Sequence, residues 1–121
     1  MSQNYKVGIV GAGFGGIIAG LELLKKEINS FVIFEKSNEI GGVWRDNIYP
    51  GCGCDVRSDF YSIKTEPNPN WSEHYSKRNE IFQYLKDVVK KQKLEQYIQF
   101  NTLITEAKFT PEEGCWLVTD N

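Results

Sequence analysis

Three glycines near the start of the chain, Gly11, Gly13 and Gly16, have the spacing of a loop that binds phosphate groups. Gly11 allows a tight turn, and Gly13 allows the backbone to approach a pyrophosphate. Gly16 removes a side chain where a helix packs closely against a strand. Phe14, between these glycines, contributes no polar group. The N–H groups of a helix that starts here would face the phosphate oxygens, so the spacing predicts a diphosphate site.

An acidic residue follows at the distance that a dinucleotide site requires. Glu35 comes about 20 residues after these glycines, where a carboxylate accepts hydrogen bonds from the 2′- and 3′-hydroxyl groups of a ribose. The same charge repels a 2′-phosphate, which predicts a preference for NAD or FAD over NADP. Lys36, directly beside it, slightly weakens that exclusion. The alternative interpretation is a glycine-rich turn in another kind of α/β protein, with Glu35 merely exposed.

These residues lie on the elements that such a site needs. Residues 5–10, YKVGIV, and residues 31–36, FVIFEK, are apolar and β-rich, as in buried parallel strands. Between them, residues 17–28 place apolar side chains at helical spacing. The order predicts one β-turn-α-β unit, in which the glycines follow the first strand and Glu35 ends the second.

The second half of the chain predicts a long helix followed by antiparallel strands. Residues 78–97 have helical periodicity. Residues 97–109, YIQFNTLITEAKF, and residues 114–121, GCWLVTDN, predict strands joined by the turn TPEEG. We therefore predict one α/β, Rossmann-like dinucleotide-binding domain over residues 1–121, which the resemblance described next assigns to FAD. It comprises a βαβ unit with a parallel sheet, a helix and a β-meander that stops before its next strand.

The segment between the βαβ unit and this helix, residues 41–62, distinguishes an FAD site from an NAD site by resemblance. It reads GGVWRDNIYPGCGCDVRSDFYS and is similar to the FAD domain of flavin-dependent monooxygenases, in particular the Baeyer–Villiger type. The family pattern is GG-x-W, then Y-P-G, C-D and Y-S, which is matched by Gly41, Gly42, Trp44, Tyr49, Pro50, Gly51, Cys54, Asp55, Tyr61 and Ser62. The chain departs from it at Cys52 and Gly53, where relatives commonly have a small residue and an arginine. Loss of that arginine predicts weaker contacts to cofactor phosphates or to a nicotinamide partner.

The resemblance implies a role for each part of the site. Gly16 and its neighbours would hold the FAD pyrophosphate, and Glu35 would hold the adenosine ribose. The residues that would run along the extended cofactor are Gly42, Val43, Trp44, Arg45 and Asp46. Asp55 and Tyr61 would lie near the isoalloxazine ring, and Ile104 would offer its backbone to the adenine edge. No residue is assigned a catalytic role, because the redox chemistry belongs to the flavin.

Composition and charge exclude several other classes of function. The net charge of −2 gives no basis for a nucleic-acid surface, and no apolar run approaches the length of a membrane span. Three cysteines without an export signal predict reduced thiols and a cytoplasmic location. Cys52, Cys54 and Cys115 have no zinc-like spacing with His74, so we predict no metal site and unreactive cysteines.

What the 121 residues lack limits the functional prediction. A second glycine fingerprint for an NADPH domain is absent, and so is the Baeyer–Villiger signature FxGxxxHxxx(W/F). We therefore expect a truncated FAD-binding portion of a flavin monooxygenase that is inactive alone, with NADPH binding only in a full-length enzyme. The first alternative is a non-catalytic assembly module or split-protein partner, whose open sheet edge a complementary chain or a second copy covers. The second is an NAD-binding Rossmann domain of a dehydrogenase, which leaves residues 41–62 unexplained.

Overall fold

A computed structural model describes residues 3–121 and shows two small sheets with helices around the first of them. In chain order the elements are β1 (Val7–Val10), α1 (Phe14–Lys25), β2 (Phe31–Phe34), α2 (Val43–Asp46), α3 (Arg78–Lys91), the 3₁₀ helix η1 (Leu94–Tyr97), β3 (Ile98–Gln99), β4 (Ile104–Thr110) and β5 (Cys115–Asp120). Strands β1, β2 and β3 form one parallel sheet in that order, and β4 and β5 form an antiparallel pair. The predicted β-turn-α-β unit is present.

The parallel register brings the carboxyl ends of β1 and β2 side by side. Val7 pairs with Phe31, and Val10 pairs with Phe34. The turns that leave these two strands therefore lie side by side at the carboxyl ends of the strands, which is where open α/β sheets bind ligands. Strand β1 lies at the outer side of the sheet, and the side chain of Val10 is 68% exposed.

The core forms where α1 packs against the parallel sheet and α3 packs against α2 and η1, in one cluster of buried apolar side chains. Helix α1 contributes Ile17, and β2 contributes Ile33, both fully buried. Gly20 allows the closest approach: a Cβ there would lie 2.9 Å from Leu94 and 3.1 Å from Ile33. Helix α3 is amphipathic and buries six side chains, namely Ile81, Phe82, Tyr84, Leu85, Val88 and Val89. These contacts hold the strand ends of the candidate site on a rigid support.

The expected single strand over residues 97–109 is wrong. Its first part is β3 of the parallel sheet, and its second part is β4 of the antiparallel pair. Between them, Asn101 takes a left-handed φ of 53°, and its N–H donates to the carbonyl oxygen of Ser37. The N–H of Thr102 donates to the carbonyl oxygen of Glu35. These two bonds turn the chain out of the first sheet before β4 begins.

The predicted helix over residues 78–97 also ends early. Helix α3 stops at Lys91, and Lys93 has a left-handed φ of 55°. This break redirects the chain so that Leu94, at the start of η1, is fully buried against Gly20. An uninterrupted helix would carry Leu94 along the α3 axis instead.

The predicted β5 and its turn are present, and they form an exposed hairpin. Gly114 closes the turn with a φ of 65°, and Phe109 packs on Trp116 across the strands. Trp116 is 64% exposed and Leu117 is 62% exposed, so both faces of the hairpin carry open apolar surface. Over residues 3–121, no helix is both long enough and apolar enough to cross a membrane.

Candidate nucleotide-binding site

The first glycine turn has the geometry that its spacing predicts. Gly11 has a φ of 98°, which favours glycine, and its N–H donates to the carbonyl oxygen of Phe34 at 2.7 Å. A Cβ on Gly16 would lie 1.9 Å from the Gly11 oxygen, so no side chain fits between helix and strand. Gly13 precedes α1 with extended dihedrals. The N–H groups of the first helical turn have no acceptor within the helix and can bind an anion.

A second glycine turn packs directly on the first. Gly41 and Gly42 both have positive φ, 124° and 56°. The Gly41 N–H donates to the carbonyl oxygen of Ala12 at 2.9 Å. A Cβ on Gly42 would lie 3.1 Å from the Cα of Gly13, and one on Gly13 would lie 3.6 Å from the Cα of Gly42. Two side-chain-free backbones therefore meet at the start of α1.

Glu35 is buried rather than exposed, with 3% of its surface accessible. Its Oε1 accepts a hydrogen bond from the Ala12 N–H at 3.0 Å, and its Oε2 accepts one from the Ser37 N–H at 2.7 Å. The Nη1 atom of Arg45 lies 3.3 Å from Oε2. The alternative in which Glu35 is merely exposed is therefore wrong. The backbone of Ala12 links the glycine turn to this carboxylate; the sequence did not indicate it, because alanine has no polar side-chain group.

Arg45 and Asp46 pair with each other. Arg45 Nε donates to Asp46 Oδ1 at 2.8 Å, and Arg45 Nη1 donates to the Glu39 carbonyl oxygen at 2.9 Å. The hydrogen bond with Asp46 raises the pKa of the Arg45 guanidinium. The same bond, aided by the positive charges of Arg45 and Lys36, holds the pKa of the Asp46 carboxyl below its usual value. Both members of the pair stay charged at neutral pH.

Three aromatic side chains join the first glycine turn to the later segment. The Trp44 indole N–H donates to the Tyr61 hydroxyl oxygen at 3.0 Å, and their rings meet edge-on at 5.8 Å. The ring of Phe14 lies 4.9 Å from that of Tyr61. Trp44 is buried and Tyr61 is partly buried. The structure thus brings together three residues that sequence reasoning named separately.

The short helix α2 depends on Arg78, which sequence reasoning missed. Arg78 Nε donates to the Trp44 carbonyl oxygen at 2.6 Å, and Nη2 donates to the Arg45 carbonyl oxygen at 2.7 Å. Its guanidinium also lies over the Phe82 ring, 4.5 Å from the centroid. A cation at the C-terminal end of a helix satisfies carbonyl groups that lack helical partners. No sequence signal indicated this contact, because Arg78 is more than 30 residues away from α2 along the chain.

Other candidate residues lie outside this group of contacts. Val43 is 61% exposed, and Asp55 and Lys36 are also exposed. Ile104 begins β4, two residues after Thr102, whose N–H binds the Glu35 carbonyl oxygen. Over residues 3–121, all three cysteines are free thiols, and no three His, Cys, Asp or Glu side chains come together to hold a metal ion.

Comparison with known proteins decides the family. Residues 9–78, from β1 to the first residue of α3, match the NAD(P)-binding Rossmann-like domain. The chain belongs to this family. The match spans both glycine turns, Glu35 and α2 of the Rossmann-like domain.

Curated relatives of this Rossmann-like domain are monooxygenases. The chain is 36% identical over 114 residues to a Baeyer-Villiger monooxygenase of Streptomyces coelicolor, and the alignment covers 94% of this chain and 22% of the relative. It is 39% identical over 111 residues to the FAD-binding monooxygenase ktnD of Aspergillus niger, covering 91% of this chain and 18% of the relative. The chain therefore spans about a fifth of the length of these relatives.

Solved structures agree with this similarity. An oxidized steroid monooxygenase bound to NADP superposes with a TM-score of 0.92 at 36% identity, over 98% of this chain and 23% of the other. An open cyclohexanone monooxygenase superposes with a TM-score of 0.90 at 32% identity, over 99% of this chain and 24% of the other. A complex of OTEMO with FAD and NADP superposes with a TM-score of 0.87 at 26% identity, over 100% of this chain and 24% of the other. The predicted resemblance to Baeyer–Villiger-type flavin monooxygenases and the Rossmann-like fold class are confirmed.

Proposed function

We propose that this chain forms the adenosine and pyrophosphate part of an FAD site in a flavin-dependent monooxygenase. The observation on which this rests is the backbone contact of the two glycine turns, Gly13 against Gly42, at the start of α1. That contact presents free N–H groups with no side chain in front of them. Glu35, on the adjoining strand end, supplies an acceptor for a ribose. The monooxygenase relatives support FAD as the dinucleotide.

The residues present fit this cofactor. A Cβ on Gly13 or on Gly42 would fill the space beside the start of α1. The buried Glu35 carboxylate can serve as the acceptor that the hydroxyl groups of a ribose need. The pyrophosphate would be held by Gly11, Gly13, Phe14 and Gly16. The ribose would be held by Glu35 with Lys36 beside it. The remaining proposed contacts are Gly42, Val43, Trp44, Arg45 and Asp46 along the cofactor, Asp55 and Tyr61 towards the isoalloxazine ring, and Ile104 at the adenine.

The role of this chain is to bind and orient rather than to react. A bound flavin would supply the redox chemistry, and none of the proposed residues is assigned a proton-transfer step. NADPH- and O₂-dependent oxygenation is proposed for a protein of the length of the relatives, of which this chain spans about a fifth. We expect the 121 residues alone to lack oxygenase activity. The cytoplasmic location stays a prediction.

Titration of the 121-residue protein with FAD tests the proposal. We expect FAD and ADP to bind, as followed by flavin fluorescence and calorimetry, and FMN, which lacks the adenosine, to bind at least about tenfold more weakly. Glu35→Gln should weaken FAD by about tenfold or more, because a charged acceptor is lost. Glu39→Gln is the matched control, since that side chain is exposed and only its carbonyl oxygen contacts Arg45. Absence of FAD and ADP binding to the folded protein would refute the proposal.

The exposed apolar surface favours a second candidate, an assembly module or split-protein partner. Strand β1 is at the sheet edge, and the hairpin exposes Trp116 and Leu117. This candidate predicts a dimer or hetero-complex whose mass does not change with FAD, measured by light scattering after gel filtration. An NAD-binding dehydrogenase domain predicts tighter binding of NAD than of FAD in the same titration.

A further inference from the structure

Arg45 is the side chain of the site whose contacts point to a role in addition to the cofactor contact proposed for it. It lies on α2, yet its guanidinium is directed at Glu35 and at its own neighbours, and its side chain is only 9% exposed. We propose that Arg45 is a positioning residue, which orients the Glu35 carboxylate so that this carboxylate accepts a ribose hydroxyl. The inference rests on the proposed nucleotide site and adds to it how the acceptor is held.

The contacts of Glu35 show what Arg45 does to the carboxylate. A carboxylate offers about four acceptor positions on its two oxygens. Within residues 3–121, two backbone N–H groups donate to it, that of Ser37 to Oε2 and that of Ala12 to Oε1. Oε2 is also ion-paired with Arg45 Nη1 at 3.3 Å, whereas Oε1 has only the Ala12 bond and keeps a free acceptor position. The geometry leaves Oε1, beside the first glycine turn, as the atom that accepts from a ligand.

Arg45 is itself held from several sides, so it can fix the orientation of Glu35. Its Nε and Nη2 donate to the two carboxylate oxygens of Asp46 at 2.8 and 3.1 Å. Its Nη1 donates to the Glu39 carbonyl oxygen, and its own carbonyl oxygen accepts from Arg78. A fork of this kind has a defined plane, unlike a lysine ammonium. The backbone and the guanidinium are therefore both restrained.

These contacts also decide the charge beside the ribose. Glu35 and Asp46 contribute two negative charges, Arg45 is paired with both of them, and Lys36 adds a second positive charge nearby. Because most Arg45 donors are already engaged, its guanidinium is not free to bind a 2′-phosphate. The group therefore accepts hydrogen bonds from hydroxyl groups and offers no free Arg45 donor fork to an added phosphate.

Loss of Arg45 should therefore weaken the contact with one ligand group, the 2′-hydroxyl of the ribose. Without the guanidinium, Glu35 keeps two backbone donors but loses the contact that occupies Oε2. The carboxylate can then rotate or draw in water, and its bond to a ribose hydroxyl weakens. A ligand without the 2′-hydroxyl loses less, because it never made that bond. The ratio of the two dissociation constants reports the positioning role.

The experiment compares ADP with 2′-deoxy-ADP on the 121-residue protein by calorimetry. For the unchanged protein we expect 2′-deoxy-ADP to bind at least about tenfold more weakly than ADP. In Arg45→Gln that ratio should fall to about threefold or less. Arg45→Lys keeps the charge but not the fork, and should give an intermediate ratio. Lys91→Gln is the matched control, because it removes a cation 2.9 Å from another buried carboxylate, Glu66, and should leave the ratio unchanged.

The outcomes separate this inference from the proposed function. An equal weakening of both ligands in Arg45→Gln, with the tenfold ratio intact, would show that Arg45 only supports the local structure. Failure of the unchanged, folded protein to bind either ADP or FAD would overturn the proposed nucleotide site as well. If Arg45→Gln does not fold by circular dichroism, Arg45→Lys decides: an unchanged ratio in that variant refutes the positioning role.

Discussion

Gly42 faces Gly13 so closely that a Cβ added to Gly42 would lie 3.1 Å from the Cα of Gly13. Gly42 also has a φ of 56° with a ψ of −125°, a conformation that side chains disfavour. We therefore expect Gly42→Ala to destabilise the protein by about 1–3 kcal/mol or more, from backbone strain plus the clash. It should also weaken FAD binding, because the two turns would separate.

Gly51→Ala is the matched control for this prediction. Gly51 has a φ of 80°, but a Cβ there would meet no atom within 4 Å. The control therefore measures strain alone, by urea denaturation. Equal losses of stability in the two variants, with FAD affinity unaffected, would show that the contact between the turns does not matter.

Alanine substitution of two adjacent glycines in α1 should change the free energy of unfolding in opposite directions. A Cβ on Gly16 would lie 1.9 Å from the Gly11 carbonyl oxygen, whereas one on Gly15 would meet nothing within 4 Å. Gly16→Ala should lower the free energy of unfolding by about 3 kcal/mol or more, because backbone must move. Gly15→Ala should raise it by about 0.5–1 kcal/mol, because alanine restricts the unfolded chain. Denaturation of both variants checks the pair; a stable Gly16→Ala would contradict the close approach of helix and strand.

The Trp44–Tyr61 hydrogen bond should couple the two residues energetically. Tyr61→Phe leaves the largely buried Trp44 indole N–H without an acceptor, which should cost about 1–3 kcal/mol. In a Trp44→Phe background the same change removes no hydrogen bond, so its cost should be smaller. A double-mutant cycle on unfolding free energy should give a coupling of about 1 kcal/mol. A coupling near zero would mean that the bond contributes nothing to stability.

Stability at alkaline pH should depend on Tyr84. Burial raises the pKa of this phenol above its usual value of 10.0, the Ile63 N–H opposes that rise, and the Glu66 charge adds to it. A raised pKa in the folded state means that the protonated phenol stabilises the fold below pH 10. That contribution is lost as the pH rises through the higher folded-state value.

The variant Tyr84→Phe tests this pH dependence. It loses the hydroxyl bonds to the Glu66 carbonyl oxygen and from the Ile63 N–H, so it should be about 1–3 kcal/mol less stable at neutral pH. The gap to the parent protein should narrow above about pH 10 in urea denaturation. Tyr75→Phe, which removes an exposed phenol, controls for general alkaline effects. A gap that stays constant to high pH would count against a protonated Tyr84 as the cause.

The local parts of the site were predictable because short-range patterns determine them. The strand, glycine turn and helix over residues 7–25 follow from β-rich residues, glycine spacing and helical periodicity within one continuous stretch. The position of Glu35 after β2 follows from the same count. Residues 41–62 were recognised by their resemblance to a family, and not by any periodicity of their own.

What required the tertiary structure were the contacts between distant segments. The division of residues 97–109 between two sheets depends on backbone bonds to Ser37 and Glu35, which no pattern within that segment shows. The burial of Glu35 and its pairing with Arg45 depend on where α2 packs against α3 through Arg78. Spacing along the chain determines which backbone groups lack partners; only packing between segments decides which distant groups supply them.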